Sequence, residues 1–494
     1  MKVLRKLSKF LLAKQEQESP RVHISCLVDD SPKFRMQAWN WLMSLSAIQT
    51  QCRIFIHHTP TALSQSVKKI FSEGGATLVE VAPFGQGPAA YCNKIRQLET
   101  TEFLDADFVI LSDADIAFVQ DPALLARKRV FRAKTVDLPN PPQEIWSKLF
   151  ERAGLGRQVE MTSIEMVEHS KTFATNFNGG LYVMPTTVAR SILPLWQKWA
   201  AFCLEQHDLL GDKIHHSDQL GMGMALLESK AKIDPLPSGA NLPTHLPRDR
   251  LSLVPTQDIT ALHYHSFWDQ HGLPKDVGID WFDASLSLTR NALTEERRKN
   301  FSNDIFWDFR YSEFPELGSG LGSRDKILLL KQDVLRPYVE MIGEDSILDV
   351  GCGDLEVFAS LPAVNYTGID VSNEALEISR AKRADWTFQQ RDITDFGESA
   401  FDYCCCIDVL IHQKGKAAAE ELVRNLVRVA KKGIIFSCHT EVAERSTISF
   451  DSAHLRDRVA AMPEITSVRQ IAQYRDTSLY FARIKEGEQQ NTNK

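Results

Sequence analysis

Two carboxylates one residue apart, Asp113 and Asp115, follow directly on an apolar run in DFVILSDADIAFVQDP. Side chains so placed at the carboxyl end of a strand can hold a Mg²⁺ or Mn²⁺ ion that also takes diphosphate oxygens, neutralising charge as a nucleoside diphosphate leaves. The spacing alone says little, because about one such pair is expected by chance in a chain of this length. Asp105 and Asp107 repeat it just upstream. Position separates the two pairs: Asp105 precedes the apolar run, whereas Asp113 and Asp115 follow it. A second constellation lies in SILDVGCGDL, where Asp349, Gly351 and Gly353 close another apolar run. Glycines there let the backbone turn sharply and approach a ligand at the carboxyl edge of a parallel sheet. Asp370 ends the next run, YTGID, where a carboxylate can accept the two ribose hydroxyl protons. Asp392 ends a third, WTFQQRD, in reach of an adenine amine.

The elements that must position these groups fall into two series. From residue 21 to about 284, strand-like runs (HISCLV, RIFIH, ATLVEVA, FVILSDAD, GGLYVMP, ALHYH) alternate with helical patterns, as expected of a mostly parallel sheet. Residues 285–304 are polar without a sustained apolar face and read as a linker. A second alternation follows over 305–485, with a helix predicted near 326–341 and strands in SILDVG, YTGIDV, WTFQQRD, FDYCCCID and GIIFSC. Two α/β domains in tandem are therefore expected, flanked by a basic segment (1–20) and a polar tail (486–494).

Through DVGCG, GIDVS, RDIT and FDYCCCIDVLIHQ the second series resembles the class I S-adenosylmethionine-dependent methyltransferases, a Rossmann-like fold. No third glycine follows Gly353 two residues on, which sets it apart from a nicotinamide-binding turn. The resemblance implies that Gly351 and Gly353 pack near the methionyl part of S-adenosylmethionine, Asp370 holds the ribose and Asp392 lies near the adenine. Ser323 and Arg324, in GSGLGSRD, look like part of a loop that some of these enzymes fold over the cofactor; Arg324 would then pair with the methionyl carboxylate. A flexible glycine/serine hinge is the plain alternative. Methyl transfer to a sugar hydroxyl needs the hydroxyl proton removed. His412, just beyond the fourth strand, is the favoured base and Asp408 its rival, against a capping or surface histidine.

The first series resembles the GT-A class of glycosyltransferases through SDADIAF, FNGGLYVMP, HSDQLGMGMAL and ALHYHSFW. That resemblance implies a nucleotide-sugar donor lined by Asn178, Gly179 and Gly180. Asp218 would face the sugars, as base if the enzyme inverts or as a stabilising carboxylate if it retains. A late histidine would join Asp113 and Asp115 on the metal, His263 by preference and His265 as the alternative. In plainer readings Asp218 caps a helix and His263 is a core histidine. The ending known from some retaining relatives is replaced by SFWDQHGLPK, which leaves the stereochemistry open.

Composition limits what else the chain can be. Its 494 residues exceed one domain, and 43% hydrophobic with 24% charged residues excludes wholesale disorder. A net charge of −7 provides no global positive field for nucleic acid. Nine cysteines, three of them adjacent, suit buried thiols in a reducing cytoplasm. No apolar stretch reaches the ~18 residues of a membrane span. Residues 1–14 carry five Lys/Arg and no acid; they read either as a solvated terminus or as an amphipathic helix touching an anionic leaflet. The expectation is a bifunctional enzyme that adds a sugar and O-methylates the glycan. Its acceptor would be lipid-linked at the inner face of the membrane, in bacterial surface-polysaccharide synthesis. In the alternative, the first domain only binds glycan or nucleotide sugar. Donor sugar, acceptor, methylated position and oligomeric state are not legible.

Overall fold

A computed structural model describes residues 20–155, 160–251, 259–363, 365–441 and 448–485. The basic N-terminal segment (1–14) and the tail (486–494) lie outside the described residues. The chain divides into two compact units, Met1–Glu296 and Arg297–Lys494.

The first unit is built on β1 (Val22–Val28), β2 (Arg53–His58), β3 (Thr77–Glu80), β4 (Phe108–Ser112), β5 (Ile116–Phe118), β6 (Arg132–Thr135), the hairpin β7 (Met161–Ser163) and β8 (Lys171–Phe173), β9 (Phe177–Pro185), β10 (Leu242–Pro243) and β11 (Ala261–His263). Its main sheet runs β3-β2-β1-β4-β9-β6. The first four strands are parallel, and β9 pairs antiparallel with both β4 and β6. All five residues of β4 are buried, which is why this strand reads as an unbroken apolar run. The helices Pro32–Ala47 and Thr186–Leu204 bury Trp39, Trp41, Trp196 and Trp199. A small sheet, β10-β11-β5, pairs β11 antiparallel to β5 with His263 opposite Ile116.

The stretch 285–304, expected to be a linker, is instead mostly helix: Asp280–Lys299 is continuous and buries Phe282, Leu286, Thr289 and Leu293. Its inward stripe passes through a threonine, so the polar sequence conceals the helical period.

The second unit contains β12 (Ser346–Val350), β13 (Asn365–Asp370), β14 (Thr387–Gln390), β15 (Phe401–Cys406), β16 (Ala430–His439), β17 (Ile465–Tyr474) and β18 (Thr477–Ile484). Their order is β14-β13-β12-β15-β16-β18-β17, parallel except for β18, which is antiparallel to both β16 and β17. Strand order reverses between β12 and β15, where an open α/β sheet leaves a crevice for ligand at the strands' carboxyl ends. The predicted helix is present as Asp325–Ile342. In β15 the adjacent cysteines alternate: Cys404 and Cys406 join one apolar layer and Cys405 the other.

Candidate active sites

In the first unit the chemistry gathers where β4 ends. The antiparallel pairing of β9 with β4 sets Asn178, Gly179 and Gly180 beside Asp113, whose N–H donates to the Gly180 carbonyl at 2.8 Å. The Asn178 amide is used to shape this turn. Its oxygen accepts from Gly180 N (2.8 Å) and Asn241 Nδ2 (3.0 Å), and its nitrogen donates to Asp137 (2.8 Å). A cavity of about 500 Å³ opens here, with Lys94, Asp113, Asp115, Gly179, Asp218 and His263 in its wall, a size suited to a small ligand.

The sequence-predicted metal set divides into two groups. Asp115, His263 and His265 converge, with one ligand atom from each within 4.8 Å of the others. The pairing of β11 with β5 causes this, and Tyr264 N donating to the Asp115 carbonyl (3.0 Å) fixes it. The imidazoles of His263 and His265 stack with centroids 3.8 Å apart. His263 Nε2 lies 3.1 Å from Asp115 Oδ1, yet both ring nitrogens and that oxygen are buried without a hydrogen-bonding partner of acceptable geometry. Such orphaned donor atoms fit a divalent cation.

Asp113 is held elsewhere. Lys94 Nζ stands 2.5 Å from Asp113 Oδ1, 3.0 Å from the Gly179 carbonyl and 3.6 Å from Asp218 Oδ2. Burial works to discharge Lys94, but the carboxylates of Asp113 and Asp218 outweigh it and hold the ammonium above the ordinary lysine range. Burial raises the Asp218 carboxyl, with Lys94 opposing. Asp218 lies in the first turn of the helix Ser217–Ser229, and the N-cap of that helix is His216. Lys94 escaped the sequence reading because a lone lysine in GPAAYCNKI carries no motif; its partners lie up to 124 positions away in the chain.

In the second unit, β12 turns at Gly351 (φ +74) and Gly353. Asp370 accepts from the backbone N–H of Gly353 and of Ser372, each at 2.9 Å, which fastens the turn to the end of β13. Burial lifts the Asp370 carboxyl to about 6. Asp349 accepts from the Tyr366 hydroxyl at 2.6 Å, and burial lifts it to about 7. Asp392 is exposed and caps the next turn, accepting from Thr394 N and Oγ1.

Arg324 has partners within the protein that the sequence reading did not foresee. Its guanidinium donates to Asp354 (2.6 Å) and to the Ser323 carbonyl (3.0 Å). Asp354 is 3% exposed and also takes the Ser319 hydroxyl, so the arginine completes a buried carboxylate and pins the glycine loop. Ser323 is buried in that loop.

The two candidate bases differ in what they have left to offer. Asp408 accepts from Lys331, from the Tyr474 hydroxyl (2.5 Å) and from Ser437 Oγ (3.2 Å), and Lys331 is itself fully buried. His412 Nδ1 meets the Ile448 carbonyl at 2.5 Å, so Nδ1 carries the proton and Nε2 keeps a lone pair. Burial lowers the His412 pKa and favours that neutral form. The ring stands edge-on to Trp307. Neither Lys331 nor Tyr474 belongs to a sequence motif.

Two family models match the chain. Residues 25–229 match a Rhodobacterales glycosyltransferase domain, and residues 348–438 match a methyltransferase domain. No curated protein matches significantly. Among solved structures, the galactosyltransferase LgtC with donor and acceptor sugar analogues is similar over 56% of this chain and 100% of its own, at 13% identity and TM-score 0.38. The bifunctional glycosyltransferase WbbM is similar over 58% of this chain and 53% of its own (11%, TM-score 0.34). Magnesium protoporphyrin IX methyltransferase from Synechocystis PCC 6803, with bound S-adenosylmethionine, is similar over 33% of this chain and 86% of its own (18%, TM-score 0.27).

Proposed function

From a chain that carries a glycosyltransferase domain and a methyltransferase domain, and is therefore an enzyme with two transferase activities, we propose that one glycan is its substrate twice: a sugar is added from a nucleotide-sugar donor, and the product is O-methylated with S-adenosylmethionine. The observation that carries the first half is the convergence of Lys94, Asp113, Asp218 and the Asp115–His263 pair on one cavity. A divalent cation (Mn²⁺ or Mg²⁺), when bound, would offset the diphosphate charge, with Asp115 and His263 among its ligands. Lys94 holds Asp113 and Asp218 in fixed positions at the cavity wall. Asp218, raised above the usual carboxylate range, is a stronger base than an exposed aspartate and takes the acceptor hydroxyl proton.

In the second unit, S-adenosylmethionine, when bound, supplies a methyl group on a positively charged sulfur. Gly351 and Gly353 give the backbone its close approach, and Asp370 accepts from the ribose hydroxyls. His412 Nε2 receives the proton of the attacking sugar hydroxyl. Tethering both units makes the second transfer effectively intramolecular. A lipid-linked acceptor in bacterial surface-polysaccharide synthesis suits such a fusion, with residues 1–14 at the inner membrane face. No helix among the described residues is long and apolar enough to cross a membrane.

Thermal shifts against a panel of nucleotide sugars, with and without Mn²⁺, test this reading, with S-adenosylmethionine as control. A donor that raises the melt only with metal, and is then turned over, supports it. Absence of turnover for every donor would reject sugar transfer.

A further inference from the structure

We propose that Trp307 is the platform on which the acceptor sugar lies during methyl transfer, so that the second unit selects a pyranose ring by its apolar C–H face. This rests on the glycan O-methylation reading above and names what its acceptor site recognises.

The placement of one helix carries it. Asn303–Glu313 sets Trp307 and Tyr311 one turn apart on the same face, with ring centroids 6.1 Å from each other. Tyr311 stands at the cofactor turn: its hydroxyl shares a hydrogen bond with Ser319 Oγ (2.8 Å), and a Cβ on Gly353 would lie 2.8 Å from that hydroxyl. Trp307 stands a turn earlier, edge-on to the imidazole of His412 with centroids 5.2 Å apart. The helix thus runs from the glycine turn assigned to the methionyl part to the histidine assigned as base. A sugar ring resting on Trp307 would bring a hydroxyl beside His412.

The indole is held in place and left partly open. Its Nε1 donates to Asn303 Oδ1 at 3.2 Å, and Asn303 Nδ2 donates to the His412 carbonyl at 3.3 Å. The polar edge of the ring is therefore satisfied within the protein, and what remains to meet a ligand is its aromatic face. The second unit has two tryptophans, and they differ in this respect. Trp386 is buried and stacks on Tyr366, whereas Trp307 is half-buried. A pyranose presents a row of C–H bonds on one side, and a fixed indole packs on them with little side-chain freedom left to lose. Such a surface with a few polar groups at its edge is the usual make-up of a small-ligand site.

The test follows S-adenosylhomocysteine release by the full chain with methyl pyranosides of glucose, galactose, mannose, fucose and rhamnose as acceptors. Trp307→Leu keeps apolar bulk and removes the aromatic face; Trp307→Phe keeps a face. The acceptor KM is expected to rise about 10-fold or more in the leucine variant and to stay within about threefold of wild type in the phenylalanine variant, with kcat changed less than KM. The calorimetric Kd for S-adenosylmethionine should stay within about threefold of wild type in both. Circular dichroism melts check that each variant folds, and Trp307→Tyr repeats the test should the phenylalanine variant melt early. An unchanged acceptor KM in Trp307→Leu, equal impairment of the leucine and phenylalanine variants, or a loss of S-adenosylmethionine affinity in step with KM overturns the inference and leaves O-methylation standing. Failure of the wild type to release S-adenosylhomocysteine with every glycoside overturns both.

Discussion

Lys94 is the residue on which the first site turns, because one ammonium serves two carboxylates whose charges would otherwise repel. Lys94→Met removes it without changing side-chain length much, and the expected loss of stability is roughly 2 to 3 kcal/mol. That is below the full figure for a buried pair because the Asp113 side chain is 32% exposed. Sugar transfer should fall about 100-fold or more in steady-state assays, while S-adenosylmethionine binding is unchanged. Asp349 gives a pH signature in the second unit. An unfolded aspartate ionises near ~3.9, but burial lifts Asp349 to about 7 in the folded chain. Between those values unfolding releases a proton, so stability falls as pH rises through the window, and the penalty is absent below it and complete above it. Asp349→Asn keeps an acceptor for Tyr366 and removes the charge. Its melting temperature should exceed that of the wild type at pH 8, by the equivalent of roughly 4 kcal/mol at most, and the two should converge near pH 4. At His412 the outcome is catalytic: His412→Ala is expected to bind S-adenosylmethionine in calorimetry and to lose methyl transfer.

Two turns show how elements impose the geometry. A Cβ at Gly180 would stand 2.6 Å from His263 Cε1, so Gly180→Ala should displace that imidazole and weaken metal binding more than it lowers the melt. At Gly351 a Cβ would meet Val409 Cγ2 at 2.3 Å and the φ is +74, so Gly351→Ala should cost roughly 2 to 4 kcal/mol, read from denaturant midpoints. The strands beside these glycines were plain in the sequence: β4, which pairs with the strand that carries Gly180, is buried throughout, and β12, which leads into Gly351, breaks its apolar run only at Asp349. So were the acids at their ends. What sequence could not show is which distant side chain meets which acid. Lys94 reaches Asp113, and Lys331 with Tyr474 reaches Asp408, only through strand and helix pairings fixed by the fold. The Arg324–Asp354 pair was hidden for a related reason: Asp354 follows Gly353 directly, and nothing local reveals that this carboxylate is buried. The helix Asp280–Lys299 was missed because its inward stripe includes Thr289.

At the scale of the whole chain, the two compact units predict two ligand-specific responses. In calorimetry S-adenosylmethionine should shift one transition and a nucleotide sugar with metal the other, each by about 2.7 kcal/mol at 100 times its Kd. A single transition moved equally by both would show the units unfold as one. Asp113→Asn should abolish sugar transfer and still methylate a supplied glycosylated product. The chain also carries its own clock for local opening. Among its cysteines only Cys352, in the glycine turn, is partly accessible, while Cys404, Cys405 and Cys406 are sealed into both layers around β15. Burial raises all four thiols, so little thiolate is present for an alkylating reagent to capture. Mass-resolved alkylation should therefore mark Cys352 first, at a rate slowed by bound cofactor. The triplet should be marked later and all together, at the rate at which the centre of the sheet comes apart.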